Sequence, residues 1–350
     1  MKKGRLIILD TYRGHSCAAL IDDGVLQDLL VDPMQSERPL PGAIYRARTL
    51  RQIKGQNGIM VDLGQGQTGY LRNAKGIAPG TDMLVQVNTH AELHKAAPVV
   101  QKLIFKSRYC IVTPGAPGLN IARKIANDDE RDRLLEIAHD TLDGAKDDLG
   151  LIVRSVAEDV DAEAIADDIT QMRAAAEEVL AQASGKPQLL RQAPTASEVA
   201  WCEWVDPDPD QVVQDDGGLE HLDFLPQIDA LLRPHAKLGR EAYMEIEPTS
   251  AFVAVDVNTG GDFSMAAGLK ANLAAANDLP RQLRLRGLGG QIVVDFAPMP
   301  HKNRKQLEQT LKAALRKDGI ETTLVGWTPL GHVELKRKRE RLPLAEILTQ

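Results

Sequence analysis

Short apolar runs separated by turn residues open the chain. Leu6-Ile7-Ile8-Leu9, Cys17-Ala18-Ala19-Leu20-Ile21 and Leu29-Leu30-Val31 follow one another, with Asp22-Asp23-Gly24 between the last two. An Asp-Gly step flanked by apolar runs is a strong hairpin signal, so residues 5–32 read as an antiparallel meander. Pro39, Pro41 and Gly42 mark a boundary. Beyond it, 43–48, 58–64, 69–71 and 83–87 are short strand-like segments punctuated by glycine, the pattern of a small OB-type barrel ending near residue 105.

The period then changes. Leu134, Leu135, Ile137, Ala138 and Leu142 recur at helical spacing within 120–148, Leu151-Ile152-Val153 is a short buried strand, and Ile165, Ile169, Met172, Ala176 and Leu180 line one face of a helix over about 161–183. Gln192 to Gly218, rich in Pro and Asp, reads as a partly ordered connector, followed by a short helix over about 222–233. The last third alternates: strand 251–255, helix 266–286 with Pro280 as a kink, strand 291–296, helix 301–317, strand 322–325. That order predicts neighbouring parallel strands, apolar on both faces, joined by right-handed crossovers.

Composition sharpens this picture in a few places. The 350 residues exceed one typical domain, and 43% hydrophobic with 26% charged residues is ordinary for a soluble globular protein. Aromatics are only 4%, so aliphatic packing carries the core. The net charge of -7 gives no whole-chain basic signal for nucleic acid. The charge is uneven, however. Residues 128–168 are acidic, whereas Lys336-Arg337-Lys338-Arg339-Glu340-Arg341 is a basic run that reads as a phosphate-binding patch. Cys17, Cys110 and Cys202 are odd in number and lack zinc spacing, which fits a reduced cytoplasmic protein without disulfides. The N-terminus reads as a first strand rather than a signal peptide, and no segment has the length of apolar residues needed to span a bilayer.

Asp256 and Asp295 carry the candidate chemistry. Each ends an apolar strand, and in open parallel sheets ligands bind beyond the carboxyl ends. Two carboxylates brought together there must share a proton, find a cation or bind a metal. Asn258 adds an uncharged oxygen, and this hard donor set suits Mg²⁺, with Mn²⁺ as a substitute. The alternative for Asp256-Val257-Asn258-Thr259-Gly260-Gly261 is an Asx-type turn after a strand, and for Asp295 a helix cap.

These residues also carry a resemblance. Residues 254–260, 272–276, 281–296 and 330–339 closely resemble the RNase E/G family of endoribonucleases, in a short, RNase G-like form. Gly42 to Leu71 is similar to that family's OB-fold RNA-binding module, and Gly150-Leu151-Ile152-Val153-Arg154-Ser155 to its 5′-sensor segment. The resemblance implies an α/β multidomain protein. Residues 1–35 would begin an RNase H-like subdomain and 36–105 form the inserted barrel; 106–190 would be sensor-like, 191–238 a shortened connector, and 239–350 a DNase I-like catalytic subdomain.

The same resemblance implies site roles. Asp256 and Asp295 would ligate Mg²⁺, and Asn258 would position the metal or the scissile phosphate. Met60, Tyr70 and Lys95 would contact single-stranded RNA, with Met60 standing where the family has a second stacking aromatic. Arg154 and Ser155 would bind a 5′-monophosphate, and the products would end in 5′-phosphate. Three departures stand out. No Cys-Pro-x-Cys follows the basic run, so neither zinc nor a zinc-linked tetramer is expected and a homodimer is the compatible assembly; Arg240-Glu241-Ala242 replaces a Gly-Gly step; and Glu321 replaces a sensor arginine. The expected function is a Mg²⁺-dependent endoribonuclease of RNA processing or decay. The alternatives are an RNA-binding relative that no longer cuts and a phosphatase of small esters.

Overall fold

The computed structural model describes residues 4–34, 38–52, 57–74, 76–91, 95–142, 148–262, 264 and 266–349. The chain forms two compact units, one of Met1–Gln35 with Asp210–Gln350 and the other Ser36–Pro209.

The first unit opens with β1 (Arg5–Tyr12), β2 (His15–Asp22) and β3 (Val25–Val31), paired antiparallel in that order. Asp23 and Gly24, at φ 47° and 80°, form the expected two-residue turn, whose left-handed dihedrals match the twist of the flanking strands.

The second unit begins with β4 (Ile44–Gln52), β5 (Gly58–Gly64), β6 (Gln67–Arg72), β7 (Asp82–Val87) and β8 (Ala97–Val100). They run β4-β5-β6-β8-β7, and pairing of β4 with β7 closes a barrel around Ala47, Ile59, Val61, Leu71, Val85 and Val99. The closed barrel is OB-like. The sequence pattern misses β8 because Pro98 interrupts it.

After the barrel come β9 (Phe105–Lys106), β10 (Cys110–Pro114), β11 (Gly118–Ile121), α1 (Asp128–Leu142), β12 (Leu149–Val153) and α2 (Ala162–Ala181). The four strands form one sheet, and Leu134 and Ala138 of α1 with Ile165 and Ile169 of α2 pack into its core. Residues 143–147 of the expected 120–148 segment lie outside the described residues. The unit ends with β13 (Gln188–Arg191), added to the edge of β4, and α3 (Ala196–Glu203).

The expected connector over 192–218 contains the junction between the two units, Pro209 to Asp210, and short elements on either side of it. Thr195 and Glu198 form a reciprocal capping box that starts α3. Beyond it, β14 (Gln211–Val213) pairs parallel with β1. Dense Pro and Asp concealed elements only three to eight residues long.

The first unit resumes with β14, α4 (Gly218–His221), α5 (Leu225–Ala230), β15 (His235–Lys237), β16 (Tyr243–Pro248), β17 (Val253–Asn258), α6 (Ala267–Leu285), β18 (Gly290–Asp295), α7 (Arg304–Lys317), β19 (Thr322–Trp327), β20 (Val333–Arg337) and α8 (Leu344–Ile347). The large sheet has the order β15-β16-β17-β18-β20-β19. Among the described residues of this sheet only β17 and β18, joined by α6, are parallel neighbours; β20 inserts antiparallel between β18 and β19. The expected run of adjacent parallel strands is therefore wrong beyond its first crossover, because Val333–Arg337 is itself a strand.

The strands are also not apolar on both faces. Val255, Val257, Ile292 and Val294 pack against Ala271, Ala275, Leu279, Leu307 and Leu311 of α6 and α7. The alternate positions, among them Asp256, Gln291, Asp295 and Glu334, are exposed on the other face. Pro280 is buried within α6, which runs through it.

The basic run is corrected as well. Its arginines are largely structural: Arg337, with a side chain 0% exposed, lies 2.6 Å from Asp318, while Arg341 pairs with Asp28 of β3 and Lys338 with Glu340. Alternation in β20 turns Val333, Leu335 and Arg337 inward and leaves Glu334 and Lys336 outward. Burial pushes the Arg337 guanidinium down to about 10, and Arg341 adds to the effect.

Candidate functional site

Register builds the site from separate strands. β17 and β18 pair Val255 with Val294 and then Asp256 with Asp295. Residues directly opposite on one sheet face have Cβ atoms roughly 5 Å apart. The two aspartates therefore face each other at the carboxyl ends of what is, among the described residues, the only parallel pair in this sheet. They are exposed rather than buried, the Asp295 side chain being 59% accessible. The tension between them is thus like-charge repulsion across a ladder, not desolvation.

Asn258, two residues on and on the same face, donates from Nδ2 to Asp256 Oδ2 at 2.8 Å. The donor set is two carboxylates and an amide. Mg²⁺ is commonly held by one or two carboxylates, with waters and substrate phosphate completing the octahedron, and these residues fit that demand. Among the described residues no group of three or more His, Cys, Asp or Glu side chains is placed to hold a metal alone.

The same register carries further groups that the sequence did not single out. Glu245 of β16 stands opposite Asp256, and His235 of β15 opposite Glu245, with Nδ1 2.8 Å from Glu245 Oε1. On the other side, His332 immediately precedes β20 and places Nδ1 3.2 Å from Asp295 Oδ1. That nitrogen is buried without an aligned hydrogen bond. His235, Glu245, Asp256, Asp295 and His332 thus form one polar row across the sheet. Nothing in their sequence spacing marks it, because only strand order and register align them.

The loop after β17 shapes one flank. Gly260 sits at φ +63°, and a Cβ there would lie 2.2 Å from the Glu241 carbonyl oxygen. The departure Arg240-Glu241 thus forms a turn pressed against the Asn258 loop. Beside it opens a cavity of about 440 Å³ lined by Arg240, Thr259, Asp262 and Lys270. The other flank is the turn before β20 with the start of α7, where Arg304 stacks on the Trp327 ring at 4.3 Å.

In the second unit, Met60 and Tyr70 are directly paired on β5 and β6. Both are half-buried on the outer barrel face, alternating with the buried Ile59, Val61 and Leu71. Tyr70 also pairs with Pro98 of β8, and Lys95 lies two residues before that strand begins. The barrel thus brings Met60 and Tyr70 together and puts Lys95 in the approach to their neighbour strand.

Arg154 follows β12. Its Nη1 donates to the carbonyl oxygens of Ser107, Arg108 and Cys202 at 2.6, 3.1 and 2.8 Å, and its Nη2 lies 3.3 Å from Glu203. Ser155 begins a short 3₁₀ turn. Burial opposes ionisation of Glu203, but Lys106 and Arg154 outweigh it and hold its carboxyl below the ordinary range. A phosphate approaching Arg154 would compete with this carboxylate.

Among the described residues no helix is long and apolar enough to cross a membrane. A family model described as Ribonuclease E/G family matches residues 105–221 and 218–340. Ribonuclease G of Salmonella typhimurium is 27% identical, aligned over 98% of this chain and 81% of its own length, and Ribonuclease G of Escherichia coli K12 gives the same figures. Ribonuclease E of Synechocystis is 29% identical over 78% of this chain and 46% of its own length. With the model matching well over half of its residues, the chain belongs to the ribonuclease E/G family.

Proposed function

We propose that this chain is an endoribonuclease of RNA processing or decay that hydrolyses phosphodiester bonds at Asp256 and Asp295 with Mg²⁺ or Mn²⁺. The observation that carries the reading is the register match of the two aspartates on adjacent parallel strands, in a chain whose relatives are named Ribonuclease G and E. In this reading the large sheet with α6 and α7 is the DNase I-like catalytic subdomain, and the β1–β3 meander with β14 is a reduced RNase H-like part.

Asp256 and Asp295 would hold the metal and Asn258 would fix the orientation of the Asp256 carboxylate. The metal supplies Lewis-acid stabilisation of phosphorus oxygens and a more acidic bound water. The protein's own part is to hold two carboxylates on one rigid face and leave their open side to a phosphodiester. Cleavage would leave a 5′-phosphate. Met60 and Tyr70 offer an apolar and an aromatic surface on which bases of a single strand stack with little regard to sequence, with Lys95 close to the backbone. Arg154 and Ser155 would read a 5′-monophosphate once Glu203 yields the guanidinium.

The test is incubation of 5′-monophosphorylated and 5′-hydroxyl single-stranded RNA with the protein, with and without Mg²⁺. Metal-dependent internal cuts with 5′-phosphate ends are expected. Intact RNA in the presence of Mg²⁺ or Mn²⁺, with binding equally tight in EDTA, would identify a relative that binds without cutting.

A further inference from the structure

The start of α7 has a charge pattern that the fold does not explain. His301, Lys302, Arg304 and Lys305 lie in its first turn and the 3₁₀ turn before it, with no acidic residue among them. Cations at a helix N-terminus oppose the helix dipole. No carboxylate offsets them: among the described residues Lys302, Arg304 and Lys305 make no ion pair. Arg304 is the most informative. Its guanidinium is held 4.3 Å over the Trp327 ring, and Trp327 is itself anchored by its indole N–H donating to Glu308 at 2.7 Å. A fork of donors is thus fixed in place with no acceptor among the described residues.

Two contacts tie this cluster to the aspartates. Phe296, next to Asp295, has its ring 6.4 Å from the Trp327 ring. A Cβ added at Gly331 would lie 3.6 Å from Arg304 Nη2, so the guanidinium sits beside this turn, and the neighbouring His332 lies 3.2 Å from Asp295. The cations therefore flank the carboxylate pair on the β20 side.

We propose that Lys302, Arg304 and Lys305 form a phosphate-binding rim that grips the backbone of a single-stranded RNA beside the bond to be cut. The rim rests on the nuclease reading above for its substrate, and supplies the positive charge that a site built on carboxylates lacks. Arg304 presents its planar fork to a phosphate, while Lys302 and Lys305 act as point charges along the strand.

The experiment measures binding of a short, fluorescently labelled single-stranded RNA to the full chain in EDTA, across roughly 50 to 200 mM salt. For single strands, log K falls with log salt by about 0.7 for each phosphate neutralised. Lys302→Gln with Lys305→Gln should flatten the slope by about 1.4, and adding Arg304→Ala by about 0.7 more. Arg304→Lys should restore the slope while leaving affinity below that of the unaltered protein. Lys317→Ala, in the last turn of α7, should leave the slope unchanged. Far-UV circular dichroism and melting establish that each variant is folded; both lysines are exposed, so the glutamine pair is the safest. Unchanged slope and affinity in the folded glutamine pair, or an equal loss from Lys317→Ala, would overturn the rim. Cleavage is scored separately with Mg²⁺. A protein that cuts RNA yet shows no slope change loses only the rim, whereas one that does not cut loses the catalytic reading while the slope still decides the rim.

Discussion

Asp256 and Asp295 repel each other from opposite positions on one ladder, so each should tolerate neutralisation structurally while the chemistry does not. Asp256→Asn and Asp295→Asn are expected to abolish cleavage, leave RNA affinity within a few-fold, and leave the melting temperature unchanged or slightly raised; calorimetry beside a gel assay checks all three. His332, which touches Asp295, should act by orienting it. His332→Ala should lower kcat by roughly 10–100-fold, the usual effect of losing a partner of a metal ligand, with little change in KM. Glu203→Gln should widen any preference for 5′-monophosphorylated over 5′-hydroxyl RNA, because it frees Arg154 of a competing charge; equal preference in both proteins would remove Arg154 from the sensing role. Elsewhere, burial opposes ionisation of Asp28, but Arg341 and Arg284 outweigh it and keep its carboxyl below the ordinary range. With the folded value lower than the unfolded one, Asp28 contributes stability above the unfolded pKa of about 3.9 that is lost as pH falls through the folded value. Urea midpoints should therefore drop on acidification below about pH 4. Asp28→Asn, which strands buried arginine charge, should cost on the order of 3–5 kcal/mol at neutral pH and flatten that acid dependence. At this scale the strand-end positions of the two aspartates were legible, because each follows an apolar run, and Asn258 lies two residues beyond the first. Glu245, His235 and His332 were not, because a residue's cross-strand neighbour is invisible until strand order is known.

Among the elements, those with a long period were readable. α2 was expected over 161–183 and spans Ala162–Ala181, and α6 and α7 fall where apolar spacing put them. Short strands with charged outer positions were not. β20 alternates Val333, Leu335 and Arg337 inward, and its lysines and arginines read instead as a surface patch. α3 was concealed by the prolines around it, although Thr195 and Glu198 had capping-box spacing. Thr195→Ala should lower stability by about 1 kcal/mol, measured by urea denaturation. The loop after β17 depends on a residue without a side chain. Gly260→Ala combines a left-handed φ with a Cβ 2.2 Å from Glu241 O. It should destabilise by more than about 1 kcal/mol and reduce cleavage more than RNA binding.

At the level of the whole molecule, the chain leaves one compact unit after Gln35 and re-enters it at Asp210. Residues 36–209 hold two complete cores of their own, so limited proteolysis should release a resistant fragment with ends near those junctions, identified by mass spectrometry. The other unit has to be assembled from both ends of the chain, since β1 pairs with β14 and Asp28 with Arg341. Its candidate site adds a further constraint. Side chains alternate between faces at every residue, so a slip of one position between β17 and β18 would turn one aspartate from the open face into the packing of α6 and α7. No intermediate register exists in which the pair is merely loosened. A preparation with half the expected turnover should therefore be a mixture, half its molecules fully competent and half inert, and titrating competent molecules should give an intact rate for each of them.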